Sequence, residues 1–465
     1  MQAIKKFFRY DRSIASFEGV DGKRLTLVAI MLPILLESLL RNTMGTVNTF
    51  ILSRYSESAA AATATATELM NMKSLFYTLI SAGVNIIVVQ NIGAKRMKEA
   101  GEAASLSISF CFLISLVIGI VMSIFAEPLM HMMGLEGELL SEATQYFRIV
   151  SALNFISTLI TTFSPITRAY GKTHYSLIVV LLMNALNALF NYIVIFRPFE
   201  VPLYGITGVA ISRVLAEAIA LVVNIVLVAK MGIKFDLKAA IRPKMELLKQ
   251  VLKYGIPSSI VPLSWSLSQV ISTRIMAEVG STALIAKSFV NSFLNYVTPI
   301  SAAMGQATAL MIGWYIGRRE FDKAYRLNLQ NVKIGVMINI VISFIFILLG
   351  DTLLRGLTDN EEVIAIGKEV VFLNLFVAIG KAMNNVEDNA LRSAGDVMYQ
   401  SVVGLSSCWI LAVGCCYIFG VVLGWGLAGC WISFALDEIG RGLAYLIRWI
   451  SKKWQTKGII KEKAA

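Results

Sequence analysis

Apolar windows of 18 or more residues recur along almost the whole chain. Each is long enough to cross a hydrocarbon core of about 30 Å as a helix rising about 1.5 Å per residue. Barrel strands would instead alternate in polarity over about ten residues. The composition agrees, with 56% hydrophobic and only 15% charged residues and a mean hydropathy of +0.69, far from a soluble globular domain. The expected fold is an all-α integral membrane protein with twelve transmembrane helices, within residues 25–52, 64–91, 104–126, 144–167, 175–196, 206–229, 254–277, 284–315, 329–350, 364–390, 398–420 and 426–448.

The connections set the orientation. Most of the 42 Lys and Arg residues fall at the N-terminus, in "GAKRMKEA", around Arg168 and Lys172, between Lys230 and Lys253, in "GRREFDKAYR", at Arg392 and in the C-terminal tail. Alternate connections are nearly devoid of them, which predicts a multi-pass membrane protein with both termini in the cytoplasm. The net charge of +12 then reflects an inner face suited to anionic lipid and calls for no nucleic acid. The basic, polar first 24 residues lack the pattern of a cleavable signal and read as a cytosolic tail or surface helix. The five cysteines all lie in apolar spans and read as packing residues.

Internal similarity is the next constraint. Leu32-Pro33 recurs as Ile256-Pro257, Ile92-Gly93 as Ile316-Gly317, and Arg168-x-x-Gly171 as Arg392-x-x-Gly395, each at an offset of 224; "GITG" at 205 recurs as "GLAG" at 426, at 221. An even number of spans per repeat gives both halves the same orientation. The expected organisation is a cytoplasmic N-terminal segment 1–24, a six-helix lobe 25–229, an amphipathic cytoplasmic linker 230–253, a second six-helix lobe 254–448 and a basic cytoplasmic tail 449–465. Two pseudosymmetric bundles suit alternating access.

No HExxH, CxxC, Walker A or GxSxG pattern is present, so neither a nucleotide engine nor a hydrolytic site is expected. The chain reads as a non-enzyme without cofactor, coupled to an ion gradient. Charge in the spans is where coupling would reside, because a charged side chain at mid-membrane costs roughly 2.5–3.5 kcal/mol on insertion scales. Glu37 and Arg41 stand four apart on a face that continues to Asn48; cavity lining and a structural salt bridge are equally open. Arg213 with Glu217, and Asp437 with Glu438 and Arg441, repeat the spacing, and the offset of 221 carries Glu217 onto Glu438. They read as interhelical ion pairs or as symmetric titratable sites. Glu68 and Lys73 form a weaker pair, and Lys381, Asn384, Asn385 and Asp388 make a polar stripe with Glu387 beside it. Lys287, near a span start, reads as snorkelling to the interface. Pro33, Pro257, Pro262 and Pro299 interrupt spans and bend or hinge them.

Several stretches carry a family likeness. "LPILLESLLRNTMGTVNTFILSRYSESAAAA", "VVQNIGAKRMKEA", "RAYGKTHYSLIVVLLMNALNALFNYIVIF" and "ALRSAGD" together resemble the multidrug and toxic compound extrusion (MATE) family, over about residues 25–450. The resemblance implies twelve helices in two lobes and export of organic compounds against inward proton or sodium flow. It also implies acidic residues where this chain has Asn48 in "GTVNTF" and Asn191 in "NALFNY", with Asn187 as a preserved polar neighbour. The acidic seventh-span position of one branch is Trp265, and the sixth-span Thr of another is Arg213. Two carboxylates exchanged for amides beside an arginine remove the negative field a sodium ion needs, which makes sodium the less favoured ion and casts Arg213 as a stand-in for the bound cation.

The expected function is a monomeric secondary antiporter exporting amphipathic organic compounds or drugs in exchange for protons or sodium by alternating access, with small organic molecules and membrane lipid as partners. A flippase for lipid-linked anionic precursors and a transport-inactive receptor or scaffold are the alternatives. The candidate substrate- or ion-coupling residues are Glu37, Arg41, Asn48, Glu68, Asn187, Asn191, Arg213, Glu217, Lys381, Asp388, Asp437 and Glu438.

Overall fold

The computed structural model describes residues 11, 13–198, 202–233, 235–236 and 244–460, without the side chains of 46, 49, 57, 71–76, 78, 79 and 296. A short antiparallel hairpin, β1 (Ser16–Glu18) and β2 (Arg24–Thr26), leads into the helices. These are α1 (Leu27–Ser53), α2 (Glu57–Gly93), α3 (Met97–Ile124), α4 (Ala126–Met132), α5 (Gly137–Ala152), α6 (Asn154–Ala169), α7 (Thr173–Phe196), α8 (Gly205–Lys230), α9 (Met245–Val279), α10 (Ser281–Gly317), α11 (Phe321–Arg355), α12 (Glu361–Ser393), α13 (Val397–Ser407) and α14 (Gly426–Ile450). α13 runs on through two π-helical stretches, Cys408–Gly414 and Ile418–Val422.

Seven of the described helices are long and apolar enough to span a membrane unaided, α13 counted with its π-helical continuation; α5 and α6, bent by 54°, make an eighth as one broken span. α2, α9, α10 and α14 are 37, 35, 37 and 25 residues long and complete twelve. α14 shows why such a helix departs from a simple apolar rod. Asp437, Glu438 and Arg441 are all buried on it, so its charge turns inward and its exposed Leu443, Ile447 and Ile450 remain apolar.

The chain divides into two compact units. The N-terminal unit comprises Leu36–Val88 and Arg96–Gly255; the C-terminal unit comprises Ile256 onward together with Val89–Lys95 and the residues up to Leu35. Helices α1 and α2 therefore each contribute to both. The N-terminal unit packs around Tyr146, Phe147, Met130, Leu52 and small residues of α2 such as Ala59, Ala62 and Ala66. The C-terminal unit packs around Met276, Val290, Val370, Cys416, Cys430 and Trp431. All five cysteines are free, and four are buried in helices.

Two terminal segments differ from their sequence readings. The described part of the N-terminal segment is a hairpin docked on α10: Phe17 stacks on Trp314 at 4.6 Å, the Arg318 guanidinium lies 4.1 Å from the Phe17 ring, and Tyr315 Oη donates to the carbonyls of Ile14 and Ser16. An aromatic at position 17 flanked by alternating residues had a partner in the folded chain that no local pattern announces. The tail likewise packs, with Trp454 buried and stacked on Trp449 at 4.0 Å, and Ile459 N donating to Gln90 Oε1 at 2.8 Å. The linker reading at 234 and 237–243, and the ends at 1–10, 12 and 461–465, lie outside the described residues.

Candidate functional site

In the N-terminal unit α1 delivers a run of polar groups along one face. Glu37, 1% exposed, sits at its centre. Arg41 Nη2 donates to Oε1 at 3.0 Å, Arg168 Nη2 on α6 donates to Oε2 at 2.6 Å, and Ser164 Oγ donates to Oε1 at 3.0 Å. One carboxylate thus holds two guanidiniums and a hydroxyl, which compensates its burial by charge-assisted bonds. The basic pattern places Arg168 in a connection, but α6 extends to Ala169, and this carries its side chain onto Glu37.

Farther along α1, Asn191 Nδ2 donates to Asn48 Oδ1 at 3.0 Å and lies 3.3 Å from Asn187 Oδ1. The three amides tie α1 to α7. Asn184, one turn before Asn187 on α7, adds a bond to the Leu40 carbonyl at 2.9 Å. On α8, Arg213 Nε donates to Glu217 Oε1 at 3.1 Å and Nη1 donates to the Tyr146 hydroxyl of α5 at 3.0 Å. Arg41, Asn48, Glu68, Tyr146, Asn184 and Arg213 line one cavity of about 570 Å³. Glu68 is exposed there; the side chain of its suggested partner Lys73 lies outside the described residues. Glu217, buried behind Arg213, faces the guanidinium and is not on the cavity lining.

The C-terminal unit is organised differently. α14 places Asp437 and Arg441 one turn apart, paired at 2.6 Å, with Glu438 3.3 Å from the same guanidinium. Asn384 of α12 donates to Glu438 at 2.7 Å and Ser407 of α13 donates to Asp437 at 2.6 Å. The Arg441 guanidinium also lies 5.3 Å from the Trp265 ring. Close approach makes this possible: a Cβ on Gly380 would stand 2.6 Å from Ile439 N, so only glycine lets α12 lie against α14 there.

A second, smaller cavity of about 110 Å³ is lined by Trp265, Lys287, Asn291, Lys381, Trp431 and Glu438 among others. Lys287 departs from its snorkelling reading. It is 8% exposed, donates to Thr273 Oγ1 of α9 at 2.5 Å and faces the cavity, because α9 and α10 bring a hydroxyl within its reach. Of the α12 stripe, Lys381 reaches the cavity and Asn384 the ion cluster, while Asp388 is taken up by Arg392 at 2.5 Å and by Gln400 and lies off the cavity lining. Glu387 is fully buried, and among the described residues neither of its carboxylate oxygens is hydrogen-bonded.

The repeat also brings two helix ends together within the C-terminal unit. A Cβ on Gly93 would meet the Trp314 carbonyl oxygen at 2.3 Å, and one on Gly317 would meet the Gln90 carbonyl oxygen at 2.2 Å. Positions 93 and 317 are the same site of the two repeats, crossing each other backbone to backbone.

The profile of the MatE family matches residues 33–193 and 257–418, one match in each half. The chain belongs to the MatE family. MatE proteins are membrane transporters, and this one is a multi-pass, twelve-helix member. It is similar to the uncharacterized transporter YisQ of Bacillus subtilis (strain 168), 35% identical over 438 residues that cover 94% of this chain and 96% of YisQ. It is also similar to the probable multidrug resistance protein NorM of Thermotoga maritima, 23% identical over 95% of this chain and 96% of that protein. Among solved structures, a MOP superfamily transporter from Pyrococcus furiosus, described by the reverse polarity of its binding pocket, matches with a TM-score of 0.81 at 19% identity, over 92% of this chain and 95% of that one.

Proposed function

We propose that this MatE chain is a secondary active antiporter that exports amphipathic organic compounds in exchange for protons or sodium by alternating access. It acts as a monomer in a bacterial cytoplasmic membrane with both termini inside. The observation that carries the reading is the cavity of about 570 Å³ in the N-terminal unit, a size suited to a small-molecule site, roughly 300–1,000 Å³, with polar groups from six helices. The names of its relatives, a transporter and a probable multidrug resistance protein, support the same direction.

The coupling groups fall into two kinds. Glu37 and Glu217 hold guanidiniums, so a proton arriving at Glu37 would break its bond to Arg168 and loosen a contact between α1 and α6, while one arriving at Glu217 would break its pair with Arg213 within α8. Among the described residues Glu387 accepts no hydrogen bond at either oxygen, so ionising it in the interior is costly, which supports a role in taking up a proton. The amide pair Asn48 and Asn191, with Arg213 on the same cavity, offers sodium little. Bends supply the movement: Pro33 in α1, Pro257 and Pro262 in α9 and Pro299 in α10 each interrupt a helix.

The experiment is expression in an efflux-deficient bacterium challenged with a panel of dyes and antibiotics, beside Glu37→Gln, Glu217→Gln and Glu387→Gln. Resistance from the parent chain, lost in at least one carboxylate variant that still reaches the membrane, is the expected result. No resistance to any compound, with normal membrane levels, would favour the transport-inactive alternative.

A further inference from the structure

We infer that the cavity of the C-terminal unit is an anion subsite, taking the carboxylate, sulfonate or phosphate group of a small amphipathic organic molecule that the transporter exports; it rests on the exporter reading above. Two ammonium groups converge on this cavity from different helices, Lys287 from α10 and Lys381 from α12. Among the described residues neither makes an ion pair: Lys287 bonds to the Thr273 hydroxyl at 2.5 Å and Lys381 to the Thr298 hydroxyl at 3.4 Å. Hydroxyl partners solvate an ammonium without neutralising it.

The one carboxylate on the lining does not offset them. Glu438 is bonded by Asn384 and by Arg441, and Arg441 is shared with Asp437. Three cations, Lys287, Lys381 and Arg441, face two carboxylates, Asp437 and Glu438, which leaves one positive charge in a buried site. An isolated buried charge is costly unless something pairs with it, and a charged side chain kept at membrane depth points to a ligand or ion path. A monoanion balances this site; a cation would add to its excess. Snorkelling cannot relieve Lys287, which is 8% exposed.

The size narrows the ligand further. About 110 Å³ admits an anionic group with little more, well short of the roughly 300 Å³ or larger that a drug-sized ligand fills. The aromatic rings of Trp265 and Trp431 on the same lining offer flat apolar faces to the portion of the molecule next to the charge. An aryl sulfonate or aryl carboxylate meets all three conditions.

The test is calorimetric titration of the full chain in detergent, without any gradient, using 1-naphthalenesulfonate, its neutral sulfonamide and 1-naphthylmethylammonium. The expected result is binding of the sulfonate, at least tenfold weaker binding of the other two, and at least tenfold loss of sulfonate affinity in both Lys287→Met and Lys381→Met, with Lys287→Arg retaining most of it. Lys381 is half-buried, so Lys381→Met keeps the test open if Lys287→Met fails to fold. Unchanged sulfonate affinity in the folded methionine variants, or tighter binding of the ammonium probe, would overturn the site. Displacement of the sulfonate by equimolar sulfate, or by a polyprenyl phosphate at lower concentration, would overturn its assignment to a small organic anion in favour of a free ion or a lipid headgroup. Export of a cationic dye without sulfonate binding would sink the anion subsite and leave the exporter reading standing; sulfonate binding without export of any compound would do the reverse.

Discussion

The two lobes descend from one repeat yet treat charge in opposite ways. In the N-terminal unit every arginine at the cavity already has its carboxylate, Arg41 with Glu37 and Arg213 with Glu217, and the cavity is roomy at about 570 Å³. In the C-terminal unit two carboxylates beside the cavity, Asp437 and Glu438, share a single arginine, and the cavity of about 110 Å³ is lined by lysines that lack one. The offset shows how the divergence arose locally. Position 265, which is 41 plus 224, holds Trp in place of Arg, and position 434, which is 213 plus 221, holds Phe in place of Arg, whereas Glu217 and Glu438 coincide. A shared backbone therefore fixes where side chains can meet, while a few substitutions decide whether the meeting place is neutral or charged.

The comparison can be broken most forcefully at Arg441. Arg441→Met leaves Asp437 and Glu438 buried without a cation, and we expect a loss of at least about 3–5 kcal/mol, read as a large drop in the thermal midpoint of the detergent-solubilised protein. Glu37→Ala is the N-terminal counterpart. It removes one carboxylate from Arg168, while Arg41 is 34% exposed and can turn to water, so a loss of about 3 kcal/mol is expected, smaller than at Arg441. Equal losses in the two variants would mean that the lobes are not as differently charged as their ion pairs indicate.

Smaller effects sharpen the picture. Gly317→Val puts a branched side chain where even a Cβ would stand 2.2 Å from the Gln90 carbonyl oxygen, and overpacking of this kind costs about 1–3 kcal/mol. Cysteine crosslinking between α2 and α10 near Gly93 should then become slower. Asn191→Ala removes the donor to Asn48 and should cost about 1 kcal/mol, with the melt as the measure. A loss as large as that of Glu37→Ala would show that the amide ladder, and not the ion pairs, holds the N-terminal unit together.

Much of this was readable from the chain. The apolar windows and the offset of 224 specify helices and two halves because both are properties of spacing along the sequence. The pairs Glu37–Arg41, Arg213–Glu217 and Asp437–Arg441 were readable for the same reason, since residues four apart share a helical face. What escaped was every partner supplied by another helix. Arg168 on Glu37, Tyr146 on Arg213, Asn384 on Glu438 and Thr273 on Lys287 depend on how helices cross, which no window of sequence reports. The hairpin at Ser16–Thr26 escaped too, because Phe17 owes its place to Trp314 and Arg318.

The central claim is export coupled to an ion gradient. Its most direct measurement is substrate efflux from proteoliposomes under imposed proton or sodium gradients, with Glu387→Gln alongside. The account predicts efflux driven by the proton gradient, lost in Glu387→Gln, and little response to sodium. Sodium-driven efflux that vanishes when Asn48 or Asn191 is replaced by alanine would contradict it.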